Sequence, residues 1–485
     1  MNLPIIRYVL GYVLKLQALF LLLPCLTALI YREKEGFSYL AVALLCLVLG
    51  HLMTLNKPKE QTFYLKEGCV ATALSWILLS LSGGLPFLLT GELHSFTDAM
   101  FEIVSGLTTT GSSVFADVEA VSYCSLLWRS FSNWIGGMGV LVFLLTIIPL
   151  SGGSHMNLMR AESPGPSVGK LVPKIKSTAR ILYLIYLGLT LLEFILLIAG
   201  GMPVFDAVAC SFSTAGTGGF GIKNDSIGGY SPYIQWVVTI FMLIFGVNFN
   251  AYYLILFRNA KQAFHMEEVR WYFGLVAASA SIIFINLLQT GISAFEALTH
   301  STFQVASIIT TTGYSTMDFD LWAPSSKIIL VLLMFVGGCA GSTSGGIKVS
   351  RFVILSKTVF KEMKSYIHPK SITKLKMDDK EVEHDIVRSV NVYFITYMVI
   401  YAVSVLLVAF EGKDLVTTFT AVATALGNVG PGLELAGPTQ NFGHFSVFTK
   451  WVLILDMLAG RLELFPLLIL FHPGAWKDSF HSRKK

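Results

Sequence analysis

Four short polar turns, each containing a glycine, interrupt otherwise apolar stretches of this 485-residue sequence. They occupy residues 108–112 (TTTGS), 213–217 (STAGT), 310–314 (TTTGY) and 424–428 (TALGN), at roughly even intervals. Glycine permits positive φ, so that consecutive backbone carbonyls can point the same way. A ring of such carbonyls can replace the water around a monovalent cation. The four turns together therefore predict a cation-selective filter built from backbone oxygens.

The glycines of the four turns align as Gly111, Gly216, Gly313 and Gly427, although Gly430 competes with Gly427 for the fourth position. The predicted filter residues are Thr109, Thr110, Gly111, Thr214, Ala215, Gly216, Thr311, Thr312, Gly313, Leu426, Gly427 and Asn428. None of these side chains is charged. Carbonyl coordination of this kind suits potassium, whereas rings of carboxylates suit divalent ions.

A glycine-rich stretch breaks the apolar run of residues 326–357. Glycine disfavours helix by about 1 kcal/mol per residue, and irregular backbone at membrane depth must be buried in protein or line a wet cavity. We therefore predict a flexible gating loop that contains Gly337, Gly338, Gly341, Ser342, Thr343, Ser344, Gly345 and Gly346. One alternative is a small-residue face for helix packing. The other is a phosphate-binding loop, which lacks its usual Gly-Lys-Ser/Thr ending here.

Arg461 lies in the middle of the apolar run of residues 451–471. A charge at that depth is costly and indicates function by default. A cation beneath a cation filter would act as a barrier, and its five donors could bind the free carbonyls of the gating loop. The alternative is a structural ion pair with Asp456 or Glu463.

The elements that must position these residues are membrane-spanning helices. The chain is 54% hydrophobic and 13% charged, with a mean hydropathy of +0.66, which excludes an ordinary soluble protein. Ten apolar runs are long enough to cross a bilayer: 8–30, 37–55, 69–91, 125–150, 181–200, 232–257, 270–291, 326–357, 390–410 and 447–471. Four shorter apolar segments, at 97–109, 204–214, 296–311 and 414–425, each end at one of the polar turns.

The recurring order of span, half-helix, turn and span predicts an all-α integral membrane protein. It would contain four pseudo-repeated helix–P-loop–helix units around a pore, plus two extra N-terminal transmembrane helices. The predicted units are residues 1–67 for the N-terminal pair, then 68–155, 156–265, 266–385 with the gating loop, and 386–485.

Lysine and arginine concentrate in alternate loops, which by the positive-inside rule places both termini in the cytoplasm. Arg129, Lys327 and Lys450 oppose this bias, and we expect them to snorkel from outer helix ends. The basic segments 160–180 and 348–388 are predicted to dock a soluble partner, and a solvated linker is the alternative for residues 358–388. The six cysteines show neither metal-ligand spacing nor a disulfide framework.

Taken together, the motifs resemble the Trk/Ktr/HKT superfamily of potassium transporters, in particular its bacterial members. The resemblance rests on the four turns, on residues 128–130 (WRS), 134–139 (WIGGMG) and 341–348, and on residues 460–463 (GRLE). It implies that the four aligned glycines line the filter and that Arg461 neighbours the gating loop in the pore. It also implies a homodimer in the bacterial inner membrane, in contact with lipid, and a cytosolic nucleotide-binding regulator of the TrkA type.

The function predicted is inward passage of potassium, or of the related ion rubidium, down its electrochemical gradient and under cytoplasmic gating. No organic cofactor is expected in this chain, because it has no Rossmann glycine pattern, and no nucleic-acid partner is expected. One alternative is a symporter that couples potassium to protons or sodium, for which Glu193 and Asp456 are the candidate buried carboxylates. A second, an intramembrane enzyme, would need a nucleophile with its base or a metal motif, and neither is found.

Overall fold

The structure is a computed structural model that describes residues 1–58, 64–139, 175–256, 260–369 and 374–476, with side chains of the sixth helix described from residue 180. The described chain is helical apart from one short hairpin. Its helices are α1 (Leu3–Tyr31), α2 (Gly36–Thr54), α3 (Leu65–Leu89), α4 (Phe96–Leu107), α5 (Tyr123–Met138), α6 (Ile175–Ala199), α7 (Val204–Gly216), α8 (Pro232–Phe245), α9 (Phe249–Leu256), α10 (Ala260–His265), α11 (Glu267–Leu288), α12 (Ala294–Ile309), α13 (Pro324–Val336), α14 (Val349–Ile367), α15 (His384–Ala409), α16 (Leu415–Gly427), α17 (Val447–Arg461) and α18 (Phe465–Phe471).

The hairpin consists of β1 (Lys376–Met377) and β2 (Lys380–Glu381), which pair antiparallel with Lys376 opposite Glu381. Three short 3₁₀ turns occupy Phe319–Leu321, Glu434–Ala436 and Phe442–His444, in the loops after the third and fourth polar turns. Residues 358–388, for which a solvated linker was the alternative, therefore include regular structure, because α14 continues to Ile367 and the hairpin lies further along.

Six helices of the described chain are long and apolar enough to cross a membrane: α1, α2, α3, the part of α6 from Arg180, α11 and α15. The pair α8 and α9 would make a seventh span, but it is bent by 92°. These apolar helices make the chain a multi-pass helical membrane protein. The second half of the predicted span 125–150, the basic residues 160–174 and the basic tail 477–485 lie outside the described residues.

Two runs that we predicted as continuous spans are broken. In the run 232–257, α8 ends at Phe245 and α9 begins at Phe249 in a new direction. In the run 447–471, α17 ends at Arg461, because Glu463 and Leu464 both adopt positive φ. A further apolar run, 326–357, is interrupted by the glycine-rich stretch, and this interruption was predicted. Hydropathy reports only that a segment is apolar. The segments on both sides of each break are apolar, so hydropathy could not show the breaks in the runs 232–257 and 447–471.

The four half-helices are present as predicted, as α4, α7, α12 and α16. Side chains fix the beginnings of two of them: Ser293 and Glu296 form a reciprocal capping box at α12, and Asp414 accepts the Thr417 N–H at α16. Each half-helix packs against a neighbouring span, α4 between α3, α5 and α17, and α16 against α15 and α17. The half-helices are therefore held rigidly, with their C-terminal ends inside the protein.

The N-terminal pair packs closely on itself and then on the rest of the chain. Gly11 of α1 and Gly50 of α2 face each other so closely that a Cβ on Gly50 would lie 2.7 Å from the Gly11 carbonyl oxygen. The buried Tyr39 hydroxyl of α2 lies 2.8 Å from the Ser125 hydroxyl of α5. The pair is thus attached to the helix that follows the first polar turn.

Candidate functional site

The four polar turns share one backbone hydrogen-bond pattern. In each, an amide donates to the carbonyl five residues earlier: Thr110 to Ser105, Gly218 to Ser213, Thr312 to Ser307 and Val429 to Thr424, over 2.8, 2.9, 2.8 and 2.9 Å. The residue before each of these amides adopts positive φ: Thr109 (56°), Thr217 (53°), Thr311 (55°) and Asn428 (54°). The residue after each is a positive-φ glycine: Gly111 (84°), Gly219 (63°), Gly313 (88°) and Gly430 (109°). The same turn geometry therefore occurs four times.

This pattern corrects the alignment of the second and fourth turns. Gly216 and Gly427 are the last residues of α7 and α16, and the glycines equivalent to Gly111 and Gly313 are Gly219 and Gly430. The predicted register is thus wrong by three residues in these two turns. Both turns contain a second glycine that makes an equally good sequence match, and only the helix ends decide between them.

The residues predicted around those two glycines are displaced accordingly. Thr214, Ala215 and Leu426 lie inside α7 and α16, whereas Thr109, Thr110, Thr311, Thr312 and Asn428 lie in the turns. Sequence reasoning missed Gly218, Gly219 and Val429 as members of the turns, placed Thr217 in the second turn but not among the filter residues, and named Gly430 only as the alternative to Gly427. A serine or threonine five residues before the central amide, found in all four turns, is the signal that could have found them.

The four turns meet in a closed ring. An ideal Cβ on Gly111 would lie 2.1 Å from the Gly218 oxygen of the second turn, and one on Gly219 would lie 1.9 Å from the Thr312 oxygen of the third. The corresponding distances are 2.3 Å from Gly313 to the Val429 oxygen of the fourth turn and 2.8 Å from Gly430 to the Thr110 oxygen of the first. Each glycine therefore faces a carbonyl of the next turn, and no side chain fits at these positions.

Side chains also connect the fourth turn to the first. The Asn428 amide donates to the Thr110 hydroxyl over 3.0 Å and to the Met457 carbonyl over 2.9 Å, and the Ser112 hydroxyl donates to the Gly430 carbonyl over 2.8 Å. All of these side chains are buried. The contact that closes the ring, between the first and fourth turns, is therefore fixed by specific hydrogen bonds.

An ion pair lies behind the first turn. The Arg129 Nε donates to the Glu102 carboxylate over 2.7 Å, and both side chains are almost completely buried. The same carboxylate accepts hydrogen bonds from the Ser113 hydroxyl and the Val114 N–H, while Arg129 also donates to the Gly221 carbonyl of the second turn's loop. This pair, which we call the Glu102–Arg129 brace, fixes the first turn relative to the second.

The predicted snorkelling is therefore wrong for Arg129 and Lys450, which are buried and paired, while Lys327 stays partly exposed. Besides Arg129, Lys450 pairs with Asp98 over 2.6 Å and Lys327 approaches Asp320 at 3.7 Å. These lysines also donate to the loop carbonyls of Gly443 and Asp320. Arg129 and Lys450 are thus used inside the protein, because the fold brings their carboxylate partners Glu102 and Asp98 close to them.

A cavity of about 160 Å³ opens against one side of the ring, and its lining includes Gly111, Gly313, Gly430, Arg129 and Lys223. Asp117 lies in the loop that follows the first turn, 2.8 Å from the Asn224 amide of the second turn's loop. That amide, together with the Glu119 N–H, holds the pKa of Asp117 below its ordinary value, so the carboxylate stays ionised at neutral pH.

The glycine-rich stretch is irregular, as its composition predicts, and it contacts the ring directly. Gly337, Gly341 and Gly346 have positive φ. The Gly345 N–H donates to the Thr311 hydroxyl over 2.6 Å, and the Gly346 N–H donates to the Gly427 carbonyl over 2.9 Å. A second cavity, of about 120 Å³, is lined by residues 341–346 together with Gly137, Lys348 and Arg461, among others.

Arg461 binds this stretch, as predicted. Its guanidinium donates to the Thr343 carbonyl over 2.8 Å, to the Gly137 carbonyl over 2.9 Å and to the Gly136 carbonyl. The alternative of an ion pair with Asp456 or Glu463 is not what the structure shows. Asp456 accepts a hydrogen bond from Ser404, and Glu463 pairs with Arg351.

Two further buried charges hold the stretch, and sequence reasoning missed both. The Glu268 carboxylate of α11 accepts the Ala340 N–H over 2.5 Å and the Ser350 N–H over 3.2 Å, so it bridges the two sides of the stretch. The Lys348 ammonium donates to the Ser344 carbonyl. A carboxylate at the start of an apolar span is the only sequence signal for Glu268.

The fold and the site define a multi-pass helical membrane protein whose candidate site is a ring of four glycine-containing turns, with an irregular loop bound to one side. Among the described residues, no cluster of three histidine, cysteine or acidic side chains could hold a metal ion. The ligands that the ring can offer are therefore backbone carbonyls and neutral side-chain oxygens.

Comparison with known proteins identifies the family. The model of the TrkH family, described as cation transport protein, matches residues 36–478, and the chain belongs to this family. It is 36% identical to the Trk system potassium uptake protein TrkH of Salmonella typhimurium over 468 residues, which is 94% of this chain and 96% of that protein. It is 35% identical over 467 residues to the protein of the same name from Escherichia coli K12, with the same two coverages.

The fold is also similar to a solved structure. The crystal structure of the potassium transporter TrkH from Vibrio parahaemolyticus superposes with a TM-score of 0.88 at 33% sequence identity. The match covers 98% of this chain and 100% of that one. The helical membrane fold described above is thus that of the family.

Proposed function

We propose that the chain carries potassium into the cell through the ring of four turns, in the manner of a selective channel. The closed ring is the observation that carries the proposal, because it brings the central carbonyls of all four turns next to the glycine of a neighbouring turn. Carbonyls held in this way can replace the hydration shell of a monovalent cation. The relatives named as potassium uptake proteins support potassium as the ion.

The charges of the site favour a cation without binding it too tightly. The half-helices α4, α7, α12 and α16 end at the ring, and the C-terminal end of a helix carries a partial negative charge. None of the turn residues is ionised. In this proposal the filter consists of the predicted first and third turns and the corrected second and fourth, with Gly219 and Gly430 in place of Gly216 and Gly427.

The glycine-rich stretch is proposed to be the gate. Residues 337–346, called the gate loop below, are bound to the ring by backbone hydrogen bonds and to Arg461 by a guanidinium contact. With both termini in the cytoplasm, as the positive-inside bias indicates, the gate loop lies on the cytoplasmic side of the filter. A cytosolic nucleotide-binding regulator of the TrkA type would act on it, and the chain would work as a homodimer in the bacterial inner membrane.

The five units predicted from the sequence fit this proposal. Each half-helix and its turn fall within one of the four pore units, 68–155, 156–265, 266–385 and 386–485, and α1 and α2 lie within unit 1–67. The boundary 265/266 lies between α10 and α11, whereas 67/68 and 385/386 fall in the first turns of α3 and α15, and 155/156 lies outside the described residues. No enzymatic role and no organic cofactor are proposed.

Coupled transport is the second candidate function. Two carboxylates, Glu193 on α6 and Asp456 on α17, are buried in helices of the membrane domain, where they could exchange protons. The reversal potential of purified protein in liposomes separates the two mechanisms. A channel reverses at the potassium equilibrium potential whatever the proton or sodium gradient, whereas a symporter shifts with the coupled gradient.

A glycine substitution tests the filter itself. Gly111→Ser or Gly313→Ser should let sodium pass more freely, but their Cβ atoms would lie 2.1 and 2.3 Å from a carbonyl oxygen. Gly430→Ala is the mildest probe, because its Cβ would lie 2.8 Å from the Thr110 oxygen. We expect it to lower the potassium-to-sodium permeability ratio about tenfold, the effect of about 1.4 kcal/mol of lost discrimination.

Gly412→Ala is the matched control, because Gly412 also has positive φ but an added Cβ would meet no atom within 4 Å. It carries the same kind of backbone strain without touching the ring. If Gly430→Ala folds and keeps the wild-type permeability ratio, the ring is not the filter. If both variants change the ratio equally, backbone strain rather than the ring explains the effect.

A further inference from the structure

The gate loop reaches into the ring at Gly345. Its N–H donates to the Thr311 hydroxyl over 2.6 Å, and the next amide, of Gly346, donates to the Gly427 carbonyl over 2.9 Å. A Cβ on Gly345 would lie 2.5 Å from the Gly427 oxygen and 2.9 Å from the Asn428 Cβ. Gly345 is thus inserted between the third and fourth turns, in a space that admits no side chain.

The oxygen that Gly345 binds is one of an equivalent set of four. The positive-φ positions of the turns are Thr109, Thr217, Thr311 and Asn428, and each carries a side-chain oxygen. All four side chains are completely buried. Neutral hydroxyl and amide oxygens, like carbonyls, are suitable ligands for a monovalent cation and poor ligands for an anion.

Two of these oxygens are buried without an internal partner. Within the part of the chain that the structure describes, the Thr109 hydroxyl and the Asn428 amide oxygen have no hydrogen bond. Buried polar atoms in folded proteins are nearly always satisfied, and an exception requires a reason such as a bound ion. The third oxygen, that of Thr311, is satisfied only by the gate loop among the hydrogen bonds that the structure shows. These four oxygens are called the inner oxygens below.

We propose that the gate loop docks on the filter as a competitor of a potassium ion. The inner oxygens bind the ion when the loop is withdrawn, and the Gly345 N–H takes the Thr311 oxygen when the loop is docked. Both the amide hydrogen and the cation bring positive charge to the same lone pairs, so they exclude each other. This inference rests on the proposed function, since it assigns a regulatory role to the same ion pathway.

A positive charge that binds the docked loop strengthens the competition. The Arg461 guanidinium binds the Thr343 carbonyl and the Lys348 ammonium binds the Ser344 carbonyl, immediately before Gly345. The docked loop is therefore held next to the fixed guanidinium charge of Arg461 on α17, which repels a free cation in the same pathway. An ion at the inner oxygens correspondingly weakens docking.

Linkage requires that this effect be reciprocal. If docking of the loop lowers the affinity of the inner oxygens for potassium by some factor, potassium favours the withdrawn loop by the same factor. The transported ion would thus bias the gate towards opening. A large organic cation, which cannot enter the ring, would leave the loop docked.

Amide hydrogen exchange of the full-length purified protein tests this competition without any flux. We compare the peptide that spans residues 337–348 in potassium chloride and in N-methylglucamine chloride of equal ionic strength. We expect exchange at Gly345 and Gly346 to be about fivefold faster in potassium, the factor that corresponds to one neutral hydrogen bond. Equal exchange rates in the two salts would overturn the inference.

Two matched valine variants separate competition from a general structural effect. Thr311→Val removes the acceptor of the loop amide, so exchange should be fast in both salts. Thr109→Val removes an inner oxygen but leaves that acceptor in place, so exchange should be slow in both. A parallel change in the two variants would contradict the proposal, and Thr311→Ser, which restores the hydroxyl, should recover the wild-type difference between salts.

Potassium uptake by the wild-type protein in liposomes distinguishes a failure of this inference from a failure of the proposed function. If the protein takes up potassium while loop exchange is the same in both salts, the inference fails and the proposed function stands. If neither it nor Arg461→Ala, whose gate should open without a regulator, takes up potassium, the proposed function fails first, and the inference fails with it.

Discussion

Replacing Arg461 with alanine should open the gate in the absence of any regulator. Within the described part of the chain, the guanidinium donates three hydrogen bonds to backbone carbonyls, and of these only the one to Thr343, over 2.8 Å, belongs to the gate loop. A hydrogen bond to a charged group contributes about 1.5–3 kcal/mol. Its loss should therefore raise the ratio of withdrawn to docked loop by about 10- to 150-fold, since every 1.4 kcal/mol is a factor of ten.

The assay is uptake of radioactive rubidium into liposomes that contain the purified chain alone. The increase in basal uptake should follow the population of the withdrawn loop until that state predominates. Wild-type and variant proteins must elute alike on gel filtration, so that a change in uptake reports on gating and not on misfolding.

A lysine at the same position separates the hydrogen bond from the charge. Arg461→Lys keeps the positive charge in the pathway, but its single nitrogen cannot reach the loop and the Gly136–Gly137 carbonyls together. We expect its basal uptake to lie between those of wild type and the alanine variant. If the folded Arg461→Ala protein shows the same basal uptake as the wild type, Arg461 does not hold the gate loop closed. If Arg461→Lys matches the alanine variant, the charge has no effect as a barrier.

Three further changes probe the supports of the site. Glu102→Gln removes one charge of the Glu102–Arg129 brace, and breaking a buried ion pair costs about 3–5 kcal/mol of stability. The variant should therefore have a lower thermal stability and a lower potassium selectivity. If both are unchanged, the brace does not support the filter. Glu268→Gln weakens the charge-assisted hydrogen bonds to the gate loop. It should raise basal rubidium uptake about tenfold, which corresponds to about 1.4 kcal/mol, while the adjacent control Glu267→Gln should not. Equal uptake by the two variants would show that Glu268 does not hold the gate loop closed. Reversing the charges of Lys374 and Lys376 should weaken co-purification of a TrkA-type regulator and make it more sensitive to salt; unaltered co-purification would place the docking surface elsewhere.

The sequence was sufficient to predict the membrane class and the repeated half-helices, because both depend on local composition. Long apolar runs report membrane burial, and the polar turns that end α4, α7, α12 and α16 are visible as breaks in those runs. The glycine-rich stretch was likewise predictable as irregular, since glycine disfavours helix wherever it occurs.

The register of the second and fourth turns required the tertiary structure. Thr-x-Gly matches at Gly216 and at Gly219 are equally good as letters, and the choice depends on where α7 ends against its neighbours. At the end of α16 neither Gly427 nor Gly430 completes a Thr-x-Gly match, so the sequence again does not choose between them. Where a helix ends inside a protein is decided by packing and by hydrogen bonds to distant residues, which composition does not record.

The partners of the buried charges were likewise not predictable from the sequence, because only the fold determines them. Arg129, Lys450 and Arg461 were recognisable in the sequence as unusual, because a charge in an apolar run is costly. Their partners Glu102, Asp98 and the Thr343 carbonyl lie 27, 352 and 118 residues away along the chain. A sequence shows that a buried charge needs compensation, whereas the identity of the compensating group depends on which distant segments the fold brings within hydrogen-bond distance.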